Sequence, residues 1–302
     1  LGLITFADMQ SQSVSGQGVN AQQRVKNLME EIQLADQLGL DVFGVGEHHR
    51  PDYAVSSPAV ILGAAAAVTK NIKLTSAVTV LSSDDPVRVF QNFATVDLLS
   101  GGRSEIMAGR GSFIESFPLF GYDLEDYDEL FTEKLDLLLK LNKSEKLSWK
   151  GKHRASFDDL GIYPRPYQPS LPIWLAAGGT PASAVRAATL GLPLMLAIIG
   201  GRPEQFVPFV NLYRETAKKA GRDLSQLQLG VNNHLYVGED SQRAANEFYP
   251  YYAVMMNRIG RERGWSPLSR EQYEYLRSAK GALMVGSVQE IIDKILYEHE
   301  LF

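Results

Sequence analysis

The 302 residues are 45% hydrophobic and 22% charged, so the chain is long enough to bury a large core. A net charge of -5 without a dense Lys/Arg cluster predicts neither a nucleic acid nor an anionic membrane as partner. The absence of cysteine excludes disulfides, thiolate nucleophiles and Cys-bound metals, and it favours a reducing cytoplasm. No apolar segment reaches the roughly 18 residues of a bilayer span, which is typical of a soluble protein.

Strand and helix patterns alternate through the first half of the chain. A polar loop at residues 10–18 precedes the first helix, whose apolar stripe runs from Val25 to Leu38 at helical spacing. Pro58 and Pro86 are each predicted to open a helix, and Gly101-Gly102 to end one. The predicted strands are 3–6, 41–46, 73–81 and 104–108, and the predicted helices are 22–40, 58–69, 86–100 and 126–141.

The alternation continues after a polar, proline-containing excursion at about residues 142–170. The later predicted strands are 172–177, 193–199 and 227–237, with helices from Pro181, at 203–220 and 241–259, and a last helix opened by Ser287 and Glu290. Without linkers between the repeats, this pattern predicts one parallel (β/α) barrel domain over residues 1–302, with the excursion as an insertion. The four-residue run 282–285 either forms strand eight or leads into a helix, and periodicity does not decide.

The stretch Gly44-Val-Gly-Glu47-His48-His49-Arg50-Pro51 ends a predicted strand with consecutive titratable side chains. Because active sites of parallel α/β folds lie at the carboxyl ends of strands, His48 is the candidate catalytic residue, as a general acid or base. A packed structural histidine is the alternative. A metal site is not predicted, since His153, His234 and His299 are scattered along the sequence without ligand spacing.

Two glycine-flanked elements predict a site for a phosphorylated ligand. In Ala177-Gly178-Gly179-Thr180-Pro181, Thr180 is a good N-cap, so the free amides of Ala182 and Ser183 would form an anion site at the helix start. In Ala108-Gly109-Arg110-Gly111-Ser112, glycines on both sides of Arg110 would let a phosphate approach the backbone closely. An ordinary turn and a surface arginine are the alternatives. No nucleophile elbow, P-loop or dinucleotide-binding glycine motif is present.

Several motifs in order resemble the bacterial luciferase family of flavin-dependent monooxygenases. They are Glu47-His48-His49, Thr75-Ser-Ala-Val-Thr-Val-Leu81 with Asp85-Pro-Val-Arg88, Ser100-Gly-Gly-Arg103 through Gly109-Arg110-Gly111, Phe120-Gly121 and Gly191-Leu-Pro193. The resemblance implies a TIM-type (β/α)8 barrel and an enzyme that uses reduced FMN and oxygen to oxidise a small organic substrate. It also implies a homodimer and a separate NAD(P)H-flavin reductase.

Residue by residue, the resemblance implies an active-site role for His48 and a non-proline cis peptide bond at Ser76-Ala77, against the flavin ring. It assigns phosphate binding to Arg110, with Gly111 and Ser112 beside it, and to the loop that holds Gly178, Gly179, Thr180 and Ser183. The family also has a strand and a helix after the segment equivalent to residues 285–302. This favours an eighth strand that is missing from the chain.

Gly179 falls where luciferase has an acidic residue, and the cysteine near the luciferase flavin is absent, so light emission is not implied. Three other functions stay open at this point. The first is a deazaflavin-dependent dehydrogenase or reductase on the same barrel, and the second is a non-catalytic flavin-binding protein. The third is a metal-dependent barrel hydrolase.

Overall fold

The computed structural model describes residues 1–9, 18–111 and 113–302. They form two compact units, one made of residues 1–9 and 18–176 and the other of residues 177–302. Most of the predicted loop at 10–18, and Ser112 with its predicted cofactor contact, lie outside the described residues. None of the helices among the described residues is long and apolar enough to cross a membrane.

The first unit is a parallel sheet with helices in the connections. Its strands are β1 Gly2–Thr5, β2 Val42–Val45, β3 Lys73–Ser76, β4 Thr79–Val80, β5 Ser104–Gly109, β6 Lys146–Trp149, β7 Phe157–Gly161 and β8 Ile173–Ala177. Its helices are α1 Ala21–Gln37, α2 Pro58–Val68, α3 Pro86–Ser100, α4 Ser116–Leu119 and α5 Tyr127–Lys143. Parallel pairing joins β1, β2, β3, β5 and β8 in that order, and β4 also pairs with β5. The predicted excursion contains the antiparallel hairpin β6–β7.

Local sequence signals explain where these helices begin and end. Asp85 caps α3 by accepting hydrogen bonds from the amides of Val87 and Arg88, and Gly101 ends the helix with φ of 68°. In α1, Leu28 and Ile32 are buried as the apolar stripe predicts. Leu38 was predicted on the same stripe, but it is 71% exposed and lies just beyond the end of α1 at Gln37.

The second unit continues the alternation. Its strands are β9 Leu194–Ala197, β10 Leu229–Asn232, β11 Leu235–Gly238 and β12 Met284–Ser287. Its helices are α6 Pro181–Leu190, α7 Val207–Lys219, α8 Ser241–Arg263, α9 Arg270–Arg277 and α10 Val288–Leu301. The single strand predicted at 227–237 is divided in two, because β10 pairs with β9 whereas β11 pairs with β12. Helix α9 was not predicted.

The apolar run at 282–285 leads into β12, which pairs in parallel with β11. Counting β3–β4 and β10–β11 as one strand each, β12 is the eighth strand of the strand–helix alternation among the described residues. The resemblance favoured an eighth strand that is missing from the chain, and this expectation is wrong. The run is buried throughout, and a capping box of Ser287 and Glu290 starts α10 directly after it. Both features are typical of a short buried strand that leads into a helix.

An aromatic cluster forms the core around α8, α9 and β12. Tyr252, Tyr273 and Leu283 are among its fully buried members. His234, which connects β10 and β11, lies edge-on to Tyr252 with 5.5 Å between the ring centroids. Burial lowers the pKa of His234. The ring contact and the burial favour a packed core role for His234.

Candidate active site

A small pocket lies in the first unit, where β2, β4 and β5 end. The residues that line it are Glu47, His48, His49, Val80, Gly111, Phe113, Glu115 and Ser116. The motif 44–51 and Gly111 were singled out from the sequence, and the structure brings Glu47, His48 and His49 of that motif to one pocket with Gly111. Their meeting point is the carboxyl end of parallel strands, as the sequence predicts.

Aromatic side chains surround His48. Its ring centroid lies 4.8 Å from Phe6, 4.2 Å from Tyr53 and 5.3 Å from Phe113. Its Nε2 atom is buried and has no hydrogen-bond partner in the described part of the chain. A buried nitrogen without a partner is costly in a folded protein, and an explanation is required where one occurs. A ligand that bonds to Nε2 in the pocket supplies such an explanation.

Burial lowers the pKa of His48 to about 4, and the charges of His49 and Arg50 add to the effect. Burial favours the neutral imidazole because it removes water from the charged form, and neighbouring positive charge acts in the same direction. His48 is therefore neutral at pH 7. A neutral ring can accept or donate a hydrogen bond at Nε2, depending on its tautomer.

Glu47 is buried beside His48, with 7% of its surface exposed. One carboxylate oxygen lies 2.9 Å from Nε2 of His49, and the other accepts a hydrogen bond from the amide of Val80 at 2.9 Å. The carboxylate thus connects the end of β2 to β4 and orients the His49 ring. Its role is to position its neighbours, and this role was not predicted from the sequence.

The cis peptide bond lies between Ala77 and Val78, whereas the resemblance implied Ser76-Ala77. The bond type was therefore predicted correctly, and its position was wrong by one residue. The amide of Ala77 still donates to the carbonyl of Val45 at 2.7 Å, so the β3 ladder extends to this amide and is interrupted only after it. The cis bond falls in the gap between β3 and β4.

The two residues predicted to contact the flavin here, Ser76 and Ala77, are both buried. The hydroxyl of Ser76 lies 3.2 Å from both the carbonyl and the amide of Met107, donating to the first and accepting from the second. These bonds hold β3 against β5. Contact between this pair of residues and a cofactor stays a prediction.

Glycines at the end of β5 allow the segment after the cis bond to pack closely. A Cβ atom on Gly109 would lie 2.7 Å from Cγ2 of Val78, and one on Gly111 would lie 2.9 Å from Cγ1 of Val80. Gly111 also has φ of 78°, a conformation that side chains disfavour. The glycines predicted to let a ligand approach are thus also required by the protein's own packing.

Arg110 extends from this segment towards the start of α5. Its guanidinium forms an ion pair with Asp128 at 2.7 Å and lies 5.3 Å from the ring centroid of Tyr127. The Tyr127 hydroxyl in turn donates to the carbonyl of Gly111 at 3.1 Å. The arginine side chain keeps 25% of its surface exposed, so a phosphate that reaches it competes with Asp128.

Sequence reasoning missed the ion pairs that hold the loop after Gly111. Arg50 bonds to Glu115 at 2.5 Å and to Asp52 at 3.4 Å, and its guanidinium lies 4.5 Å from the ring centroid of Phe113. The sequence analysis included Arg50 in the 44–51 motif but assigned it no partner. Its partner Glu115 is 65 residues away, and nothing in a single sequence indicates that contact.

Two further titratable groups lie in the first unit. Burial, with the charge of Glu47 as the next cause, raises the pKa of Asp84 to about 6. Burial lowers the pKa of Lys134 to about 8. The Lys134 ammonium donates to the carbonyl of Ser82 at 2.7 Å and lies 3.7 Å from the ring centroid of Tyr122. Asp84 therefore titrates close to neutral pH.

The predicted phosphate loop belongs to the second unit. Thr180 is the N-cap of α6 and Pro181 its first residue, as predicted. The amide of Ser183, predicted to be free, donates to the carbonyl of Thr180 at 2.9 Å, because the first turn closes on itself. Gly179 has φ of 99°, and among the described residues no atom lies within 4 Å of a Cβ built on Gly178. The loop therefore leaves open space at Gly178.

Comparisons with known proteins identify relatives with named activities. The oxygenase component of the flavin-dependent trigonelline monooxygenase of Acinetobacter baylyi is 26% identical over 92% of this chain and 82% of its own length. The F420-dependent glucose-6-phosphate dehydrogenase of Amycolatopsis mediterranei is 28% identical over 84% of this chain and 74% of its own length.

The crystal structure of the monooxygenase RslO1 from Streptomyces bottropensis matches 94% of this chain and 84% of its own, with a TM-score of 0.81 and 26% identity. This match confirms the predicted fold class, the barrel of the luciferase-like type. The family model described as luciferase-like monooxygenase matches residues 2–302. The chain therefore belongs to the luciferase-like monooxygenase family and is an oxidoreductase.

Proposed function

We propose that this enzyme uses reduced FMN and molecular oxygen to place one oxygen atom in a small organic substrate. The observation that carries the proposal is the buried Nε2 of His48, which has no hydrogen-bond partner among the described residues although His48 lines a pocket. A neutral imidazole within reach of a bound ligand is suited to holding or moving a proton at that atom. Membership of the luciferase-like monooxygenase family supports this reaction class.

The residues proposed to hold FMN are those that the resemblance implied. They are Ser76, Ala77, Arg110, Gly111 and Ser112 in the first part of the chain, and Gly178, Gly179, Thr180 and Ser183 in the second. Arg110 suits a phosphate because guanidinium binds phosphate oxygens with two parallel hydrogen bonds. The open space at Gly178 suits a ligand close to the backbone.

When bound, reduced FMN supplies the two electrons that reduce oxygen, so that one oxygen atom enters the substrate and the other leaves as water. The protein's own contribution to this reaction comes from the residues around His48. The rings of Phe6, Tyr53 and Phe113 exclude water from His48, and Nε2 of His48 exchanges a proton with the reacting oxygen or substrate. Glu47 holds His49 and the β4 segment in place beside it.

A separate NAD(P)H-flavin reductase is the proposed partner. The trigonelline monooxygenase relative is named as an oxygenase component, which supports a two-component system. A homodimer and a cytoplasmic location belong to the same proposal. Exposed apolar side chains, among them Val60 on α2 and Leu99 on α3, are available for contact with a second copy.

The second candidate is hydride transfer with the deazaflavin cofactor F420. The relative that is an F420-dependent glucose-6-phosphate dehydrogenase favours it, because that protein covers most of this chain at similar identity. A non-catalytic flavin-binding protein is a third candidate, since the same residues would hold the cofactor. The cofactor and its reaction with oxygen distinguish these candidates.

Replacing Arg110 with alanine should weaken FMN binding by about tenfold to a hundredfold, because a charged hydrogen-bond donor to the phosphate is lost. Binding of riboflavin, which has the same ring system without the phosphate, should not change. Both affinities are measurable by quenching of flavin fluorescence. The variant Arg261→Ala removes the same charge from an exposed position on α8 and is the control. An equal loss for FMN and riboflavin would assign Arg110 a role in folding rather than in phosphate binding.

A further inference from the structure

Asp126, Glu129 and His153 come together at the surface of the first unit. Asp126 ends the 3₁₀ turn Leu124–Asp126, Glu129 lies in the first turn of α5, and His153 lies in the connection between β6 and β7. One ligand atom from each residue lies within 4.8 Å of the others. The sequence places His153 more than 20 residues from both carboxylates, so their proximity was not predicted.

The His153 imidazole lies beside the carboxylates of Asp126 and Glu129. Its Nε2 lies 3.3 Å from a Glu129 carboxylate oxygen, and its Nδ1 lies 3.9 Å from an Asp126 oxygen. Nε2 is buried, and within the described chain no hydrogen bond of good geometry satisfies it. The side chain is only 10% exposed. Each ring nitrogen of His153 thus faces one carboxylate, Nε2 that of Glu129 and Nδ1 that of Asp126.

The backbone that carries His153 is fixed from outside the cluster. The carboxylate of Glu133, one turn further along α5, accepts hydrogen bonds from the amides of Lys152, His153 and Arg154 at 2.7 to 3.1 Å. These hydrogen bonds from Glu133 fix the backbone at His153 in the absence of a ligand. Preorganised donors lower the entropic cost of binding.

The geometry points to a metal site: we propose that Asp126, Glu129 and His153 bind a divalent transition-metal ion such as Zn²⁺. Two donors bound to one tetrahedral Zn²⁺ at about 2.0–2.2 Å lie about 3.3–3.6 Å apart, close to the separation of His153 from Glu129. Imidazole with carboxylates suits Zn²⁺ and its neighbours in the transition series, whereas Mg²⁺ and Ca²⁺ prefer oxygen ligands alone. Three protein ligands leave a fourth position for water.

Lys152 competes with the ion. Its ammonium lies 2.6 Å from the Glu129 carboxylate and is 64% exposed, so it can turn into solvent when a metal takes that oxygen. Loss of the ammonium should therefore favour the ion. The site would also connect the β6–β7 hairpin to the start of α5, where Asp128 forms an ion pair with Arg110.

The test is calorimetric titration of the chelator-treated full chain with ZnCl₂. Wild type should bind one Zn²⁺ that is lost or weakened by about tenfold or more in His153→Asn and in Glu129→Gln, because each variant removes a ligand. Lys152→Ala should bind several times more tightly than wild type. His299→Asn, which removes an exposed histidine on α10, should match wild type and is the control. Circular dichroism shows that each variant is folded.

Thermal denaturation gives a second readout that does not depend on activity. Zn²⁺ should raise the melting temperature of wild type and of Lys152→Ala, and have no such effect on His153→Asn. The proposal is overturned if wild type takes up no Zn²⁺, or if the His153 and Glu129 variants bind as wild type does. Tighter binding in wild type than in Lys152→Ala would also contradict it.

Discussion

Turnover should fall by about 10²–10⁴-fold when His48 is replaced with alanine, while the affinity for FMN stays within about threefold of wild type. The reason is the position of Nε2, which is buried and has no hydrogen-bond partner among the described residues of this pocket. His48 itself is not among the residues proposed to hold the phosphate. Binding is measured by flavin fluorescence, and turnover by oxygen consumption in the presence of an oxidisable substrate and a flavin reductase.

The pH dependence should identify the neutral imidazole as the active form. With a pKa of about 4 in the folded protein, His48 stays neutral down to about pH 5, so the step that depends on it should be constant above that pH and fail below it. In the unfolded chain the histidine takes up a proton at about pH 6.5. The unfolded state therefore binds more protons, and stability decreases as pH falls from about 6.5 to 4. His48→Asn should lack this component of the pH dependence.

His234 offers a matched control, since it is also buried and its pKa is also lowered by burial. Its replacement by alanine should reduce stability through lost packing against Tyr252 and leave turnover per folded molecule unchanged. Turnover at the wild-type rate in His48→Ala would show that His48 is a structural residue, which was the alternative interpretation of the sequence.

Gly109→Ala should destabilise the protein by about 1–3 kcal/mol and weaken cofactor binding, because the new methyl group has no space. Its Cβ would lie 2.7 Å from Cγ2 and 2.9 Å from Cβ of Val78. The second atom is next to the backbone, so rotation of the Val78 side chain cannot remove the overlap. The backbone beside the pocket must move. Urea denaturation followed by circular dichroism measures the stability, and flavin titration measures the binding.

Gly63→Ala is the control for this substitution. Gly63 lies inside α2, where the nearest atom to an added Cβ is 3.8 Å away, so the methyl group is accommodated. Alanine in a helix interior should stabilise the protein by about 0.5–1 kcal/mol relative to glycine. If Gly109→Ala is as stable as wild type and binds flavin normally, close packing of β5 against Val78 is not a constraint on the site.

The sequence was sufficient to predict the elements whose signals are local. Asp85 with Pro86 at the start of α3, Gly101 at its end and Ser287 with Glu290 at the start of α10 act within a few residues of themselves. His48 could be predicted in a pocket for a related reason, because strand periodicity ends at Gly46 and parallel strands share one carboxyl edge.

The features that were missed depend on contacts between distant segments. Glu47 binds the amide of Val80, Arg50 binds Glu115, and His153 meets Glu129. Each pair is separated by more than 20 residues, and propensity and periodicity carry no information about such contacts. The cis bond was misplaced for a different reason. A resemblance locates a motif only approximately, and in the structure the cis bond follows the last ladder contact, in which the amide of Ala77 bonds to Val45.

The most direct test of the proposed function is an anaerobic titration of the protein with reduced FMN and, in parallel, with reduced F420, followed by mixing with oxygen. The proposal predicts that reduced FMN binds, that F420 does not, and that the bound flavin consumes oxygen and transfers one atom of ¹⁸O₂ to an added substrate. Tight binding of F420 without FMN binding would contradict it and assign hydride transfer instead. Reduced FMN that binds but reoxidises as it does in free solution would contradict it as well, and would leave a flavin-binding protein without catalysis.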